Sequence, residues 1–512
     1  MSELAGVNVE ARGGLPAERR ITMLNFLKKE ANNTYTENGA MAYRSTESFC
    51  LDMFFKAGAM RNASAEEIEA VVDRAYAEDP DKTMKIVFFA RDARGGLGER
   101  RFFRTAISAL VKTAPEAVRK NIHLFSEYGR FDDLCVLLGT PLERDAAEVI
   151  RTQLNADMAA MNRKRQASLL AKWLPSVNTS SKETRNKGRR MAALLGMSEA
   201  EYRKTLSALR RYTDIIENRL RERDYTFDYE VQPSCAMFKY RGAFIRNDNV
   251  RYTEYLNKVH SGEANLNAGR LYPYDIIRAA LAGNISETER MSLDAAWKCL
   301  PDLTASRREN AIAVVDGSGS MTCTCGGIRP IDAALSLGIY FAEHNTGAFA
   351  NHFITFSENP RLVEIKGRDI VAKAQYCRTF NEIANTDLEA VFKLILKTAI
   401  NNRVRQSELP KKIYIISDMQ FDHCVTGGNN EVLFRAVRKL YSNYGYKLPD
   451  VVFWNVNSRS DAMPVTRSET GAALVSGYTP SVFDMVMGGD ISPEAVMNKV
   501  LSSQRYAAVR AA

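Results

Sequence analysis

Ala313-Val-Val-Asp-Gly-Ser-Gly-Ser-Met321 decides the fold. A short apolar run, Ala311 to Val315, leads straight into a carboxylate and two glycines, so a strand buried on both faces ends in a tight loop. Working outward, Phe353 to Phe356, Ile413 to Ile416 and Val451 to Val456 are three more such runs. Helical patterns at Ile331 to Phe341, Leu388 to Ile400 and Glu431 to Tyr441 separate them. Alternation of this kind predicts a doubly wound parallel α/β domain over residues 306–512. Ligands of such sheets bind at the carboxyl ends of the strands.

That edge carries the chemistry. Asp316, Ser318 and Ser320 follow the first strand, Thr386 lies in Asn385-Thr-Asp-Leu388, and Asp418 ends Ile415-Ile-Ser-Asp-Met419. Carboxylate and hydroxyl oxygens are hard ligands, suited to Mg²⁺ or a similar divalent cation such as Mn²⁺. Taken alone, Asp316-Gly-Ser-Gly-Ser is also an ordinary Gly/Ser turn; the ordered Thr386 and Asp418 favour the metal. Catalysis is not expected. Gly317 and Gly319 flank Ser318 without forming the Gly-x-Ser-x-Gly elbow, and none of the five histidines has a local signature of a base. His423, near Asp418, is the one worth a test.

Toward the N-terminus the texture is helical from residue 20 to about 305, after a loose tail over 1–19. Ser64 and Glu67 form a capping box ahead of an amphipathic stripe at Ile68, Val71, Val72 and Ala75. Further helices are expected at Met84 to Ala90, Phe102 to Val111 and Glu116 to Phe125, and Ser198 opens a long one reaching Arg219. Repeated helix pairs suggest a HEAT-like solenoid able to close as a ring, although no fixed-period repeat marks it. The Gly-containing segments Arg91 to Arg100 and Tyr128 to Asp133 lack Walker spacing, which removes the nucleotide reading and leaves them as turns.

A chain of 512 residues is long enough for two or more domains, each burying its own interior. No stretch approaches the roughly 20 apolar residues of a membrane span, and Met1 to Arg20 lacks a signal peptide's apolar core. The expectation is a cytoplasmic protein with no membrane partner. Its eight cysteines have no framework spacing, and Cys323-x-Cys325 without a second pair is a weak zinc signal. Of the net charge of +9, the window Arg163 to Arg223 holds 16 Lys or Arg against 6 Asp or Glu, hence +10 by itself. Such a block suits a polyanion, though solvated helical faces also collect cations. Lys172, Arg185, Lys187, Arg189, Arg190, Arg203, Lys204, Arg210 and Arg211 are the candidate phosphate contacts. Trp173, Tyr202 and Tyr212 either stack on bases or pack in the core.

Asp-x-Ser-x-Ser, then Thr, then Asp resembles the metal-ion-dependent adhesion site of von Willebrand factor A domains, over about residues 308 to 505. The resemblance implies that Ser318, Ser320 and Thr386 contact the ion directly, with Asp316 and Asp418 acting mainly through water. One coordination position would stay open for an acidic group on a partner. Asn385 and Met419 depart from the pattern, each standing where glycine is common. A helical half followed by such a domain resembles the Ro autoantigen class, of TROVE-type architecture, which implies a structured or misfolded noncoding RNA as partner. Nearer in sequence is an uncharacterised family of the same layout. It is similar in Leu170-Ala-Lys-Trp-Leu-Pro175, Glu201-Tyr-Arg-Lys204, Tyr128-Gly-Arg-Phe-Asp-Asp133 and Arg94-Gly-Gly-Leu-Gly-Glu-Arg100, and it brings no activity. Two functions therefore stay open: a non-enzymatic RNA-binding protein with a divalent-metal site, or a metal-dependent protein-interaction scaffold without RNA. A steep loss of RNA affinity with salt separates them.

Overall fold

A computed structural model describes residues 30–304, 310–324, 327–381, 387–422, 432–487 and 491–511, together with Met23 and Leu27. An antiparallel hairpin, β1 (Asn33–Tyr35) and β2 (Met41–Tyr43), precedes the helices and was not expected from the sequence. Then come α1 (Phe49–Ala57), α2 (Ala65–Glu78), α3 (Pro80–Arg91), α4 (Arg100–Thr113), α5 (Pro115–Asn121), α6 (Phe125–Tyr128) and α7 (Glu143–Asn162). The basic window holds α8 (Leu170–Trp173), α9 (Lys182–Leu194), α10 (Glu199–Tyr212) and α11 (Ile216–Arg221). After it follow α12 (Ser234–Asn247), α13 (Asn249–Ser261), α14 (Pro273–Ala280) and α15 (Glu287–Lys298).

Local chemistry sets these boundaries. Ser64 and Ser198 make the capping boxes of α2 and α10, and Asp79 caps α3 ahead of Pro80. The long helix expected to reach Arg219 breaks instead, because Asp214 turns left-handed (φ 43°) between α10 and α11. The polar segment that follows α8 forms α9, capped by the Ser181 hydroxyl. Gly188 lets α9 approach Pro175 and Ser176, where a Cβ would lie 2.9 Å from the Ser176 carbonyl carbon.

The C-terminal half is a six-stranded sheet in the order β5-β4-β3-β6-β7-β8, comprising β3 (Ala311–Asp316), β4 (His352–Phe356), β5 (Leu362–Glu364), β6 (Lys412–Ser417), β7 (Asp450–Asn455) and β8 (Ala472–Ser476). All pairings are parallel except that of the edge strand β5. The helices are α16 (Pro330–His344), α17 (Ile370–Arg378), α18 (Leu388–Asn401), α19 (Leu433–Asn443), α20 (Ser481–Met485) and α21 (Pro493–Leu501). Side chains alternate across β3: Ile312 and Val314 join α18 and α19 in one core, while Ala311, Ala313 and Val315 face the other.

That other core is continuous with the helical half, running from Cys50 and Phe54 through Val315 and Trp454 to Val509. The halves thus do not bury separate interiors, because the first helix of the N-terminal half covers a strand of the sheet and its last helices pack on the sheet's own helices. α1 packs on β8, and α14 and α15 pack on α16 and α17. At the first seam Gly58 meets Gly477 backbone to backbone, and a Cβ on Gly58 would lie 2.6 Å from Gly477 Cα. Gly58→Ala is therefore expected to destabilise by about 3 kcal/mol in urea unfolding, as overpacking does where no flexible side chain can yield. Gly242→Ala, inside α12 with only the Arg246 side chain near (3.4 Å), should instead stabilise by about 0.5 to 1 kcal/mol.

The Gly-rich turn after α3 receives the C-terminal segment. Asp92, buried at its start, accepts hydrogen bonds from Arg505 (Nη2, 2.8 Å) and Tyr506 (Oη, 3.1 Å). Asn121 Nδ2 donates to the Arg510 carbonyl (2.5 Å), and the Ala511 amide donates to Asp81 (2.6 Å). Among the described residues no helix is long and apolar enough to cross a membrane.

Candidate metal centre

β3 and β6 are neighbours at the point where the strand order reverses, so their carboxyl ends frame the crevice such sheets use for ligands. Asp316 is fully buried there. Its Oδ1 accepts the Ser318 amide (2.9 Å) and its Oδ2 the Ser417 hydroxyl (2.6 Å). Ser318 and Ser320 place their hydroxyl oxygens 3.0 Å apart. Gly317 permits the loop to pass Asn381, where a Cβ would lie 3.1 Å from the Asn381 Cα. Asp418, also buried, accepts the Gln420 amide at Oδ1 (3.3 Å), while its Oδ2 is buried with no hydrogen-bond partner.

Electrostatics mark the same two carboxylates. Burial, and then the charge of Asp418, pushes the Asp316 carboxyl from 3.8 up to about 7. Burial likewise raises Asp418, against the opposing pull of Ser320 and Gln420. Met419 adopts φ 65°, the left-handed conformation that suits glycine, which gives the departure at this position a physical meaning: the backbone after Asp418 is held under strain.

The structure thus brings together four of the five predicted ligands, Asp316, Ser318, Ser320 and Asp418. Thr386 lies outside the described residues, as do Cys325 and His423. Among the described residues no three His, Cys, Asp or Glu side chains gather into a metal cluster. The donors here are two carboxylates and two hydroxyls, an all-oxygen set that fits a hard divalent cation. The Asp418 oxygen that lacks a hydrogen bond is the atom such a cation would satisfy.

Sequence reasoning missed the surroundings. Ser417 lies within Ile415-Ile-Ser-Asp-Met419, and a hydroxyl at the end of a buried strand was the signal. The β1–β2 turn gave none: Thr36 Oγ1 donates to the Phe421 carbonyl (2.6 Å), the Glu37 amide to Gln420 Oε1 (2.9 Å) and Asn38 Nδ2 to the Gln420 carbonyl (2.8 Å).

The basic window is less open than its charge suggests. Lys172 pairs with Glu217 (2.9 Å), Lys187 with Glu183 (2.6 Å), Arg189 with Glu199 (3.2 Å) and Arg190 with Glu143 (2.6 Å). Arg185 donates to the Thr179 carbonyl (3.2 Å). Arg210 is a clamp, its three nitrogens bound to the Ala171 carbonyl, the Ser176 hydroxyl and the Leu174 carbonyl at 2.7 to 2.8 Å. Arg203, Lys204 and Arg211 are exposed on α10 and make no hydrogen bond or ion pair among the described residues. Of the aromatics, Tyr202 is buried and donates to the Pro175 carbonyl (3.0 Å), Tyr212 donates to the Arg165 carbonyl (2.7 Å), and Trp173 lies under Arg130 (4.3 Å).

Comparison with known proteins gives the chain its relatives. It is 28% identical to Uncharacterized protein L728 of Acanthamoeba polyphaga mimivirus, over 92% of this chain and 87% of that one. A model described as a domain of unknown function (DUF7788) matches residues 310–509, the sheet and its helices. A second, likewise a domain of unknown function (DUF2828), matches 36–151 and 142–306. Since that match covers more than half of the chain, the protein belongs to the DUF2828 family.

Proposed function

We propose that the C-terminal half is a von Willebrand factor A-type domain and that the protein is a non-enzymatic, metal-dependent interaction protein. Its divalent ion, Mg²⁺ or Mn²⁺, would be held by Asp316, Ser318, Ser320, Thr386 and Asp418. The observation that carries this reading is the buried pair of carboxylates beside two hydroxyls, with one carboxylate oxygen left without a hydrogen bond. A strand order reversing at the site, with one antiparallel edge strand, supports it. When bound, the ion would supply positive charge able to attract an acidic group on a protein partner. Calorimetry tests the reading: Ser318→Ala with Ser320→Ala should abolish Mg²⁺ and Mn²⁺ binding while circular dichroism stays unchanged. Unaltered affinity in that variant refutes it.

A second reading, binding of structured noncoding RNA as in the Ro class, rests on the three unpaired cations along one face of α10. Charge reversal at Arg185, Lys187, Arg189 and Arg190 tests it poorly, because in three of these positions the new acid would face an existing one. Reversal of Arg203, Lys204 and Arg211 is the cleaner variant. It should weaken binding across unrelated RNA sequences and flatten the salt slope by about 0.7 to 0.9 for each phosphate no longer neutralised. A gel shift with no wild-type binding at low salt, or with equal binding by the variant, removes this reading and leaves the protein-interaction one.

A further inference from the structure

Beside the Asp418 oxygen that lacks a hydrogen bond stands a cation. Arg459 Nη1 is 3.9 Å from Asp418 Oδ2, and its Nη2 is 2.9 Å from a carboxylate oxygen of Glu37, on the turn between β1 and β2. Asp418 is sealed from solvent, whereas the Arg459 and Glu37 side chains are 36% and 43% exposed, so the guanidinium reaches the buried oxygen from the solvent side. Its backbone is fixed. The Ser458 amide donates to the Ala59 carbonyl (3.0 Å), Gln420 Nε2 donates to the Ser460 hydroxyl (2.8 Å), and Asp461 is paired with Lys56. Arg459 also lines a crevice of about 210 Å³ that it shares with Lys56, Arg74 and Asp461.

We propose that Arg459 is a tethered cation that competes with the divalent ion for Asp418, and that Glu37 is the latch that holds it off. The inference rests on the metal reading above. A guanidinium this close to the ion's carboxylate repels a double positive charge, and it supplies part of the neutralisation that the ion would otherwise give. Glu37 pulls the same head outward. Metal affinity is thereby tied to the docking of the N-terminal hairpin, which the helical half carries to the sheet edge.

The test is Mg²⁺ calorimetry on the full chain. Arg459→Gln should tighten the dissociation constant about tenfold, and Glu37→Gln, which frees Arg459 to turn inward, should weaken it several-fold. In the double variant the effect of Glu37→Gln should shrink to the small direct influence of its own charge on Asp418, since Glu37 acts mainly through Arg459. A purely structural pair would shift melting temperature without moving the constants in opposite directions. If Ser318→Ala with Ser320→Ala loses metal and Arg459→Gln binds as wild type does, the inference is overturned and the metal centre stands. An undiminished effect of Glu37→Gln in the Arg459→Gln background overturns the latch. Absence of metal binding in both wild type and Arg459→Gln removes the metal reading itself.

Discussion

Asp133→Ala is expected to destabilise the protein by about 3 to 5 kcal/mol, the cost of leaving the buried Arg91 without its partner. Asp133 is completely buried and holds Arg91, itself 3% exposed, at 2.7 Å, Arg104 Nε at 2.7 Å and the Arg130 amide at 3.0 Å. Loss of the carboxylate strands Arg91, which has no route to water, whereas Arg104 keeps its pair with Asp132 (2.9 Å) and reaches solvent. The damage spreads through the same turn, because the Tyr128 hydroxyl donates to the Arg505 carbonyl and so ties it to the C-terminal segment. Urea unfolding measures the effect; a loss below about 1 kcal/mol would mean that water enters and rescues Arg91. Arg91→Met with Asp133→Leu should be milder than Asp133→Ala, since it leaves no bare guanidinium in the core, although Arg104 Nε and the Arg130 amide still lose their acceptor.

Asp316→Asn should have two opposed effects. Divalent-ion affinity should fall by more than about a hundredfold, because the variant removes one of two charges that compensate the ion, and calorimetry with Mn²⁺ would read it. Stability of the metal-free protein near neutral pH should rise. The sign follows from the carboxyl's position: its folded-state value of about 7 lies above the ordinary 3.8, so the folded chain favours the protonated form. That contribution is fully present below pH 4 and is lost as pH rises through 7. Metal-free wild type should therefore melt at progressively lower temperature between pH 4 and 7, the Asn variant should show a flatter profile, and Mg²⁺ should restore the wild type at pH 7.5. A wild-type profile as flat as the variant's would show that Asp316 is not under this strain.

The legible parts of the fold were those with a strong local signal. β3, β6 and β7 are six-residue strands dense in Val, Ile and Phe, and α2 and α10 advertise their caps. β5 has three residues at an edge, β8 is the Ala-rich Ala472-Ala-Leu-Val-Ser476, and β1 is Asn33-Thr-Tyr35; none carries an intrinsic preference that stands out from a loop. In the site, Asp316, Ser318, Ser320 and Asp418 were legible because they close strands or sit between glycines. Glu37 was not, since nothing local links it to Gln420, 383 residues away. The basic block shows the same limit. Its net charge can be counted, but Arg190 is paired with Glu143 from outside the window, and the Arg210 clamp depends on where the backbone of residues 171–176 passes.

The docking of residues 505–511 against α3 and the turn that follows has a consequence for the order of assembly. Asn121 meets Arg510 across 389 positions, so the groups that satisfy the early helices leave the ribosome only after the whole sheet has been made. A growing chain that has finished α15 still exposes Phe89 and Tyr128, the rings on which Tyr506 will rest. N-terminal segments usually fold first during synthesis. Here the first helices must wait with an open apolar flank, and that interval is when the nascent polypeptide is most in need of a chaperone.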